Sequence, residues 1–548
     1  MTAEQKRNAL EVTPVQNGHI KSNGAHTVLN GTSSAAPTCS QPPAAAATSA
    51  AAPPAAEDDS LEECTLWVAF VTYLAYFVLV AVGYVKEFLF PVHQKEKDRQ
   101  GYTPLYLSFE SFYIRNVYRR MSACFNNPLA SCPGGQIDIQ LRETPDYGFS
   151  YSGGDCRTGE VRRCINFGSY NYLGFAENSG PCTDTAERLL RRDGVAPCSS
   201  RMHLGSQQCQ DDLEALVAEY LGVEDAVTFS MGFATNALNI PTLVGRGSLV
   251  ISDQLNHASL ILGLRLSGAT IDVFKHNDMK DLERKLRRAI VDGHPRTHRP
   301  WKKILIVVEG IYSMEGSICK LPEIIALKKK YKAYLYLDEA HSIGALGPTG
   351  RGVCEYYGCD TRDIDVLMGT FTKSFGAIGG YMAGSRRLIA HVRRHSHSMF
   401  YASGLPPPVA GQISAVLCEL LGRGGAGVGR ARIRRLTDNT RYFRKRLSQM
   451  GFILYGDDDS PVVPLLIFLP AKACAFWSEL MKHNVATVIV GFPATPILKV
   501  RCRFCVSAAH NKEVLDKILD LIDKIGDDLE IKYSSRPRTN HPIEYGRC

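Results

Sequence analysis

The sequence predicts an α/β protein: a large domain on a mostly parallel sheet, a smaller C-terminal α+β domain, and an apolar helix ahead of both. Three observations predict this arrangement. Apolar β-branched runs alternate with helical patterns after about residue 165, the pattern changes after about residue 406, and residues 64–85 carry no charge. At 548 residues the chain is long enough for two lobes with a large core.

The composition is that of an ordinary globular protein, with 45% hydrophobic and 22% charged residues. The net charge of +8 is mild and dispersed, so we expect no nucleic acid partner. The 17 cysteines lack the paired spacing of a metal site or a disulfide scaffold. Cys502 and Cys505 fall in a predicted strand, residues 499–506, where positions three apart face opposite sides. We therefore expect reduced thiols and no metal.

The N-terminal 90 residues divide into two predicted parts. Residues 1–60 are rich in Ala, Ser, Asn, Pro and Gly and are predicted to be disordered. Residues 61–90 are predicted to form a membrane-anchoring helix, because the uncharged stretch is just long enough to cross a bilayer. Acidic residues precede it and basic residues follow it, so the rest of the chain is expected in the cytosol. A helix lying in the membrane interface and a buried core helix remain alternatives.

The remaining boundaries follow the change in pattern. We predict a lead-in segment at 91–165, a large domain at 166–405, a small domain at 406–535 and a tail at 536–548. Buried strands are predicted at 226–229, 248–252, 304–308 and 334–337, and helices at 282–291, 321–331, 412–421 and 437–450. A Gly-x-Gly-x-x-Gly pattern at 422–427 follows a helix instead of a strand, so we reject it as a dinucleotide site.

Four polar clusters stand at or near predicted strand ends, where ligands bind in parallel α/β sheets. They are residues 232–236, 253–259, 338–342 and 369–376, the last with a single lysine, Lys373. Alone, a strand-end Asp or His is more often a cap. Asp-Glu-Ala-His at 338–341 also occurs in nucleotide hydrolases, but no phosphate loop of the Gly-x-x-x-x-Gly-Lys-Ser/Thr type precedes it. Together, a phosphate turn, an aromatic ring, an acid and an imine-forming lysine indicate pyridoxal 5'-phosphate as cofactor.

On these clusters, and on residues 308–316, 328–352 and 492–496, the chain resembles the α-oxoamine synthases. These are fold type I pyridoxal-phosphate enzymes that condense an amino acid with an acyl-CoA. Within them the chain is similar to the catalytic subunits of eukaryotic serine palmitoyltransferase, long chain base type 2 or 3, over residues 61–535. The resemblance implies a fold type I large domain followed by a small C-terminal domain.

The resemblance also implies residue roles. Lys373 would bind the cofactor covalently and remove the Cα proton of the amino acid, and Asp338 would pair with the pyridinium nitrogen. His257 would stack on the cofactor ring, and His341 would contact its phenolic oxygen. Further cofactor contacts are implied for Gly232, Phe233, Thr370, Thr372 and Ser313, and for Ser403 across a dimer interface. Substrate contacts are implied for Asn171 and for Arg503, which would bind the amino acid carboxylate.

The implied activity is decarboxylative condensation of L-serine with a long-chain acyl-CoA of the palmitoyl-CoA type, giving 3-ketodihydrosphingosine for sphingolipid synthesis. Implied partners are a sister subunit without the lysine and small regulatory membrane subunits, on the endoplasmic reticulum membrane. Two alternatives stay open: a synthase of the 5-aminolevulinate type, which the membrane segment disfavours, and a scaffold subunit of low activity, which the lysine disfavours.

The sequence departs from the family pattern at four positions. Relatives usually have Tyr-Gly-x-Gly where this chain begins with Asp193, and Ala196 replaces a glycine. Gln210 replaces a usual histidine, and Ile378 stands where a serine is common. These changes lie near the substrate and interface side, so they bear on acyl chain-length choice and turnover rate more than on cofactor binding. We interpret them as drift between paralogues.

Overall fold

The computed structural model describes residues 62, 65–90, 112–118, 121, 124–142, 157–425, 427–539 and 541–546. By internal contacts the chain divides into Met1–Ser60 and Leu61–Cys548. The first unit, for which we predicted disorder, lies outside the described residues. The domain boundaries predicted within the second unit stay predictions.

The strands in the described ranges are numbered in chain order: β1 (Gln136–Arg142), β2 (Arg157–Asn166), β3 (Asp225–Phe229), β4 (Leu249–Asp253), β5 (Thr270–Phe274), β6 (Ile304–Glu309), β7 (Tyr334–Asp338), β8 (Val366–Thr370), β9 (Gly380–Gly384), β10 (Val462–Leu466), β11 (Val485–Ala486), β12 (Val488–Val490) and β13 (Arg501–Cys505). The helices are α1 (Leu66–Leu89), α2 (Pro181–Asp193), α3 (Gln208–Leu221), α4 (Gly232–Ala237), α5 (Ile240–Leu243), α6 (Ala258–Ser267), α7 (Met279–Asp292), α8 (Leu321–Tyr331), α9 (Val353–Tyr357), α10 (Arg386–His395), α11 (His397–Tyr401), α12 (Pro407–Leu420), α13 (Val428–Gln449), α14 (Pro470–Lys482) and α15 (Lys512–Asp528).

The central sheet has seven strands in the order β3-β9-β8-β7-β6-β4-β5. Only β9 runs antiparallel to its neighbours, and the other pairs are parallel. The middle strands are apolar runs buried along their length, as expected when helices cover both faces of a sheet. The predicted α/β class with a mostly parallel sheet is confirmed.

The predicted helix at 321–331 matches α8, and the one at 282–291 lies within α7. The other two begin earlier than predicted, at Pro407 and Val428. Pro407 and Pro408 occupy the first turn of α12, where the missing proline N–H groups cost no helical hydrogen bond. The first half of α13 is strongly basic, and few of its positions, such as Ile433 and Leu436, are apolar and buried. The helical period of apolar residues is therefore weak in this half of the sequence.

Two three-stranded sheets complete the fold. The order β10-β13-β12 forms an antiparallel sheet around β13, and β1 and β2 form a hairpin that β11 extends in parallel. Val485 pairs with Ile165, so the lead-in segment shares a sheet with a strand far along the chain. Cys502 and Cys505 are free and buried in β13, and no cluster of potential metal ligands occurs among the described residues.

Candidate active site

Four adjacent parallel strands end in polar residues at one edge of the central sheet. β8, β7, β6 and β4 end at Thr370, Asp338, Glu309 and Asp253. Asp338 and Glu309 stand directly opposite each other in the β6–β7 register, and both are buried. Burial and the neighbouring Asp338 carboxylate raise the pKa of Glu309 well above its usual value. This edge therefore places two carboxyl groups side by side, of which Glu309 is the one that keeps its proton.

Hydrogen bonds from two directions fix the Asp338 carboxylate. Asn236 Nδ2 donates to Oδ2 at 2.8 Å, and the backbone N–H of Ala340 donates to Oδ1 at 2.9 Å. The Tyr336 hydroxyl donates to Asn236 Oδ1 at 2.5 Å, and Asn236 Nδ2 also reaches Ser259 Oγ at 3.0 Å. Together these bonds hold the Asp338 carboxyl group in a fixed orientation within the site.

His257 caps the N-terminus of α6, and its backbone N–H donates to the Glu309 carboxyl group. Its Nδ1 accepts the Ser259 N–H at 3.2 Å, so the neutral ring carries its proton on Nε2. The Phe233 ring meets the imidazole edge-on, with centroids 6.0 Å apart. Burial by the surrounding protein lowers the pKa of His257, against the attraction of Asp338, and the charge of Lys373 lowers it further. A neutral imidazole thus faces the site.

Lys373 lies in the loop between β8 and β9. Backbone hydrogen bonds from Phe371 to Gly379 and from Ala377 to Phe371 close this loop above the paired residues Thr370 and Gly380. Burial lowers the pKa of Lys373 from 10.5 to about 8, although the neighbouring Asp338 opposes the shift by favouring the charged amine. A substantial fraction of this amine is therefore neutral, and nucleophilic, near physiological pH.

Aromatic residues form the opposite wall of the site. The Tyr170 ring lies 5.8 Å from Lys373 Nζ and 4.4 Å from the Arg503 guanidinium. His341 is buried against the same ring, and its Nδ1 is 2.9 Å from the Tyr172 hydroxyl. Burial and the nearby positive charges of Lys373 and Arg503 lower the pKa of His341 well below its usual value, so this histidine is neutral.

Arg503 is a buried cation for which the described residues supply no carboxylate partner. It projects from β13, and within the described ranges no carboxylate forms an ion pair with it and its Nε has no hydrogen-bond partner. Its neighbour Arg501 is equally buried but donates to the carbonyls of Lys499 and Met314. Because a buried, unpaired guanidinium is costly, Arg503 fits a site completed by an anionic ligand.

One end of the site, beside the loop that carries Lys373, is formed by Gly232, Phe233, Thr370 and Thr372. A Cβ added to Gly232 would come within 3.1 Å of Thr370 Cγ2 and 3.3 Å of Gly379 O, so only glycine fits here without displacing its neighbours. The Thr372 hydroxyl donates to Thr370 Oγ1 at 3.2 Å. These groups line one end of the site with backbone and hydroxyl groups, which suits a phosphate.

Three predicted site residues make no described contact with this cluster. Ser313 is buried in the loop after β6, and Ser403 is exposed and forms a bridge with Ser200. The Asn171 amide binds backbone groups, donating to Pro133 O at 3.0 Å and accepting from the Ala176 N–H at 3.2 Å. The ligand-binding roles of all three stay predictions.

The departures from the family pattern have two kinds of structural setting. Gln210 is buried and joins three elements, donating to Thr228 Oγ1 at 3.0 Å and accepting from the Leu405 N–H at 3.3 Å. Asp193, Ala196 and Ile378 lie toward the surface, Asp193 beside Arg192 and Ile378 with half of its surface exposed. The glutamine therefore replaces a histidine without leaving a gap in the hydrogen bonding.

A buried ionic network lies next to Gln210. Glu214 accepts hydrogen bonds from Arg201, from Arg393 at 2.6 Å, and from both the N–H and the hydroxyl of Thr228. Arg201 and Glu214 are both almost completely buried. The network ties the segment before α3 to the edge of the central sheet.

The sequence analysis missed four residues of this site. Asn236 lies in the polar cluster 232–236, but its own role was not predicted. Its buried hydrogen-bond partner is Asp338, the acid predicted to pair with the cofactor nitrogen. Glu309 ends a strand that we predicted as buried. Tyr170 and Tyr172 flank Asn171 and give no signal beyond their aromatic character. Only the strand-end position of Glu309 could have identified it from sequence.

Comparison with known proteins agrees with this geometry. The model of the family of class I and II aminotransferases matches residues 162–522. The chain belongs to this family. Serine palmitoyltransferase 3 of Homo sapiens is 50% identical over 495 residues, covering 89% of each chain. Long chain base biosynthesis protein 2a of Arabidopsis thaliana is 48% identical over 464 residues, covering 84% of this chain and 94% of the relative.

Solved structures place the chain in the same group. Sphingomonas wittichii serine palmitoyltransferase superposes with a TM-score of 0.63 at 30% identity, covering 68% of this chain and 90% of its own. A serine palmitoyltransferase solved with pyridoxal phosphate gives a TM-score of 0.62 at 30% identity, again with 68% and 90% coverage. The resemblance to serine palmitoyltransferases of type 2 and 3 is confirmed, and so is the fold type I architecture of this family member.

Proposed function

We propose that this chain is the catalytic subunit of a serine palmitoyltransferase, which condenses L-serine with a long-chain acyl-CoA and releases CO₂ and CoA. The product would be 3-ketodihydrosphingosine. The observation that carries the proposal is one site that joins Lys373, its pKa lowered to about 8, to the hydrogen-bonded Asp338 carboxyl group and to Arg503, whose buried Nε has no hydrogen-bond partner. A scaffold subunit would have no use for this arrangement.

The residues present fit pyridoxal phosphate. The hydroxyl and backbone groups beside Gly232 match its phosphate, and the Lys373 amine with its lowered pKa matches its aldehyde. The Arg503 Nε, which has no hydrogen-bond partner, matches the carboxylate of a bound amino acid. When bound, this cofactor supplies an electron sink for negative charge at the amino acid Cα. Lys373 would hold it, and Asp338 would face its ring nitrogen.

Each residue then has a separate task. Lys373 takes the Cα proton, which its lowered pKa allows at neutral pH. Arg503 holds the serine carboxylate through the two parallel hydrogen bonds that a guanidinium fork offers. His257 and His341, whose pKa values are both lowered, would position the ring as neutral groups.

We further propose that the chain works on the endoplasmic reticulum membrane with its catalytic part in the cytosol, in a heteromer with a sister subunit that lacks the lysine. The apolar helix α1 and the lipid nature of the acyl substrate and of the product support the location. Ser403 is exposed, as its predicted contact across an interface between chains requires.

The function is tested by co-expressing the chain with the sister subunit and measuring products by mass spectrometry across acyl-CoA lengths, with serine, alanine and glycine as competing amino acids. Lys373→Ala should abolish both the absorbance of covalently bound cofactor and product formation. Lys280→Ala, which removes an exposed lysine on α7, is the matched control and should leave both unchanged. Product formation by the Lys373→Ala enzyme would refute the assignment, and a glycine-derived product would favour the 5-aminolevulinate type.

A further inference from the structure

The apolar helix α1 packs lengthwise against the protein. A stripe at helical spacing, Val68, Thr72, Tyr76, Leu79 and Gly83, is its most covered face. Val68 contacts a cluster formed by strands and loops of the C-terminal part, and Thr72 is completely buried. Tyr76 is buried in a second cluster, which Leu79 also joins. The contact therefore runs along the helix instead of being confined to one end.

Further contacts hold both ends of the helix. Before its first turn, Glu62 accepts hydrogen bonds from the hydroxyls of Ser534 and Ser535, at 2.9 and 2.8 Å. Near its last turn, the Asn116 amide donates to Glu87 at 2.8 Å, and the Tyr84 ring stacks on Phe112 with centroids 4.2 Å apart.

This docking leaves too little free helix to cross a bilayer. The stretch from Val68 to Leu79 rises about 17 Å along the body of the protein at 1.5 Å per residue. The ten residues after Leu79 add only about 15 Å, half of the hydrocarbon core of roughly 30 Å. A spanning arrangement would have to bury the polar surface of the catalytic part beside Val68 and Thr72 in lipid, which is unfavourable.

The opposite face of α1 is apolar and uncovered. Its side chains retain between 48% and 90% of their surface, and no charged residue occurs between 66 and 85. The exposed residues of this face are Leu66, Trp67, Phe70, Tyr73, Leu74, Phe77, Val78, Val82, Val85, Phe88 and Leu89. A patch of this size is rare on a surface that meets only water.

We propose that α1 lies in a single leaflet, with its docked face on the protein and its apolar face in a phospholipid monolayer. The aromatic residues of this face, which are Trp67, Phe70, Tyr73, Phe77 and Phe88, suit the boundary between headgroups and acyl chains. The proposal rests on the proposed function in one respect: a membrane surface is where a long-chain acyl-CoA and a lipid product partition.

The docked face also connects the membrane to the substrate site. Phe492 and Ile497 belong to the cluster that holds Tyr76, and the Tyr113 hydroxyl donates to Phe492 O at 3.3 Å. Four residues beyond Ile497, the chain enters β13, which carries Arg503. The lipid-facing helix thus rests on the segment that leads to the proposed serine carboxylate site.

Topology gives the first test. Asn30-Gly31-Thr32 is a glycosylation sequon in the N-terminal tail. If α1 stays in the cytosolic leaflet, the full-length chain made with microsomes should carry no glycan on Asn30, and added protease should remove the tail. A cleavable signal sequence placed before Met1 should produce the glycan and shows that the sequon is usable. A glycosylated, protease-protected tail on the unmodified chain would overturn the proposal.

Vesicle binding gives the second test. The full-length chain should float with protein-free phosphatidylcholine vesicles, and F70E/F77E should weaken this partition about 100-fold, because two phenylalanines leave the apolar phase. Val291→Glu, at another exposed apolar position, should have no effect. Failure of the wild-type chain to bind protein-free vesicles would refute the lipid face and favour a partner helix. Neither readout needs catalysis, so a failed functional assay leaves this test unaffected.

Discussion

The hydrogen bond from Asn236 to Asp338 is the site interaction with the sharpest consequence. Asn236→Ala removes the 2.8 Å bond to Oδ2 and leaves the buried Tyr336 hydroxyl without its acceptor. A hydrogen bond to a charged group contributes about 1.5–3 kcal/mol, and every 1.4 kcal/mol corresponds to about a factor of ten. If Asp338 must stay ionised and oriented during the reaction, kcat/KM should fall roughly 10- to 150-fold.

Asn239→Ala is the matched control. Asn239 is another buried asparagine, one helical turn further along, but its amide donates to Thr235 O at 2.9 Å and accepts from Ser396, away from the site. Both variants should lose stability, and only Asn236→Ala should lose activity per folded enzyme. The assay measures product by mass spectrometry, normalised to bound cofactor, and records the pH dependence of cofactor absorbance. Equal losses of activity in the two variants would refute a specific role for Asn236.

Three further predictions follow from named groups. Cofactor capture by the apoenzyme should accelerate as pH rises, with a midpoint near pH 8, because the neutral amine of Lys373 attacks and burial lowers its pKa from 10.5 to about 8. Stopped-flow absorbance measures the rate of capture at each pH. A midpoint above pH 10 would contradict the buried setting of the lysine. Arg503→Lys should raise the KM for serine about tenfold or more, because it removes one of two parallel hydrogen bonds to the serine carboxylate. Arg501→Lys should lower stability instead, since the Arg501 donors bind protein carbonyls. Steady-state kinetics detect the first effect and melting curves the second. Glu214→Ala should lower the free energy of unfolding by about 3–5 kcal/mol because it strands buried arginines, while Glu187→Ala, in an exposed pair, should cost under about 1 kcal/mol in the same urea titrations.

The sequence predicts the central sheet well because its middle strands are continuous apolar runs that end at acidic residues. The end of β7 at Asp338 and the limits of α8 follow directly from these patterns. Helix starts are less predictable where the first turns carry no apolar period: α13 begins nine residues before the predicted position, in a stretch dominated by arginine.

Contacts between distant parts of the chain explain the rest of the difference. Asn236 meets Asp338 across 102 residues, and Tyr172 meets His341 across 169. Hydrophobic periodicity describes only neighbouring residues, so it does not predict which distant residue each side chain contacts. The same holds for α1, whose composition indicates membrane association but does not show which of its faces the protein covers.

The parallel pairing of Val485 and Ala486 with Ile165 and Asn166 bears on how the protein can be shortened. The family match begins at residue 162, so trimming to its limits would remove β1 and the first half of β2. That cut would keep the residues that pair with β11 but remove Ile137 and Ile139, and so expose Met481 and Ala486, which pack against them. A stable shortened version should therefore begin before Leu129, which bridges to Ile139, and not at the start of the family match.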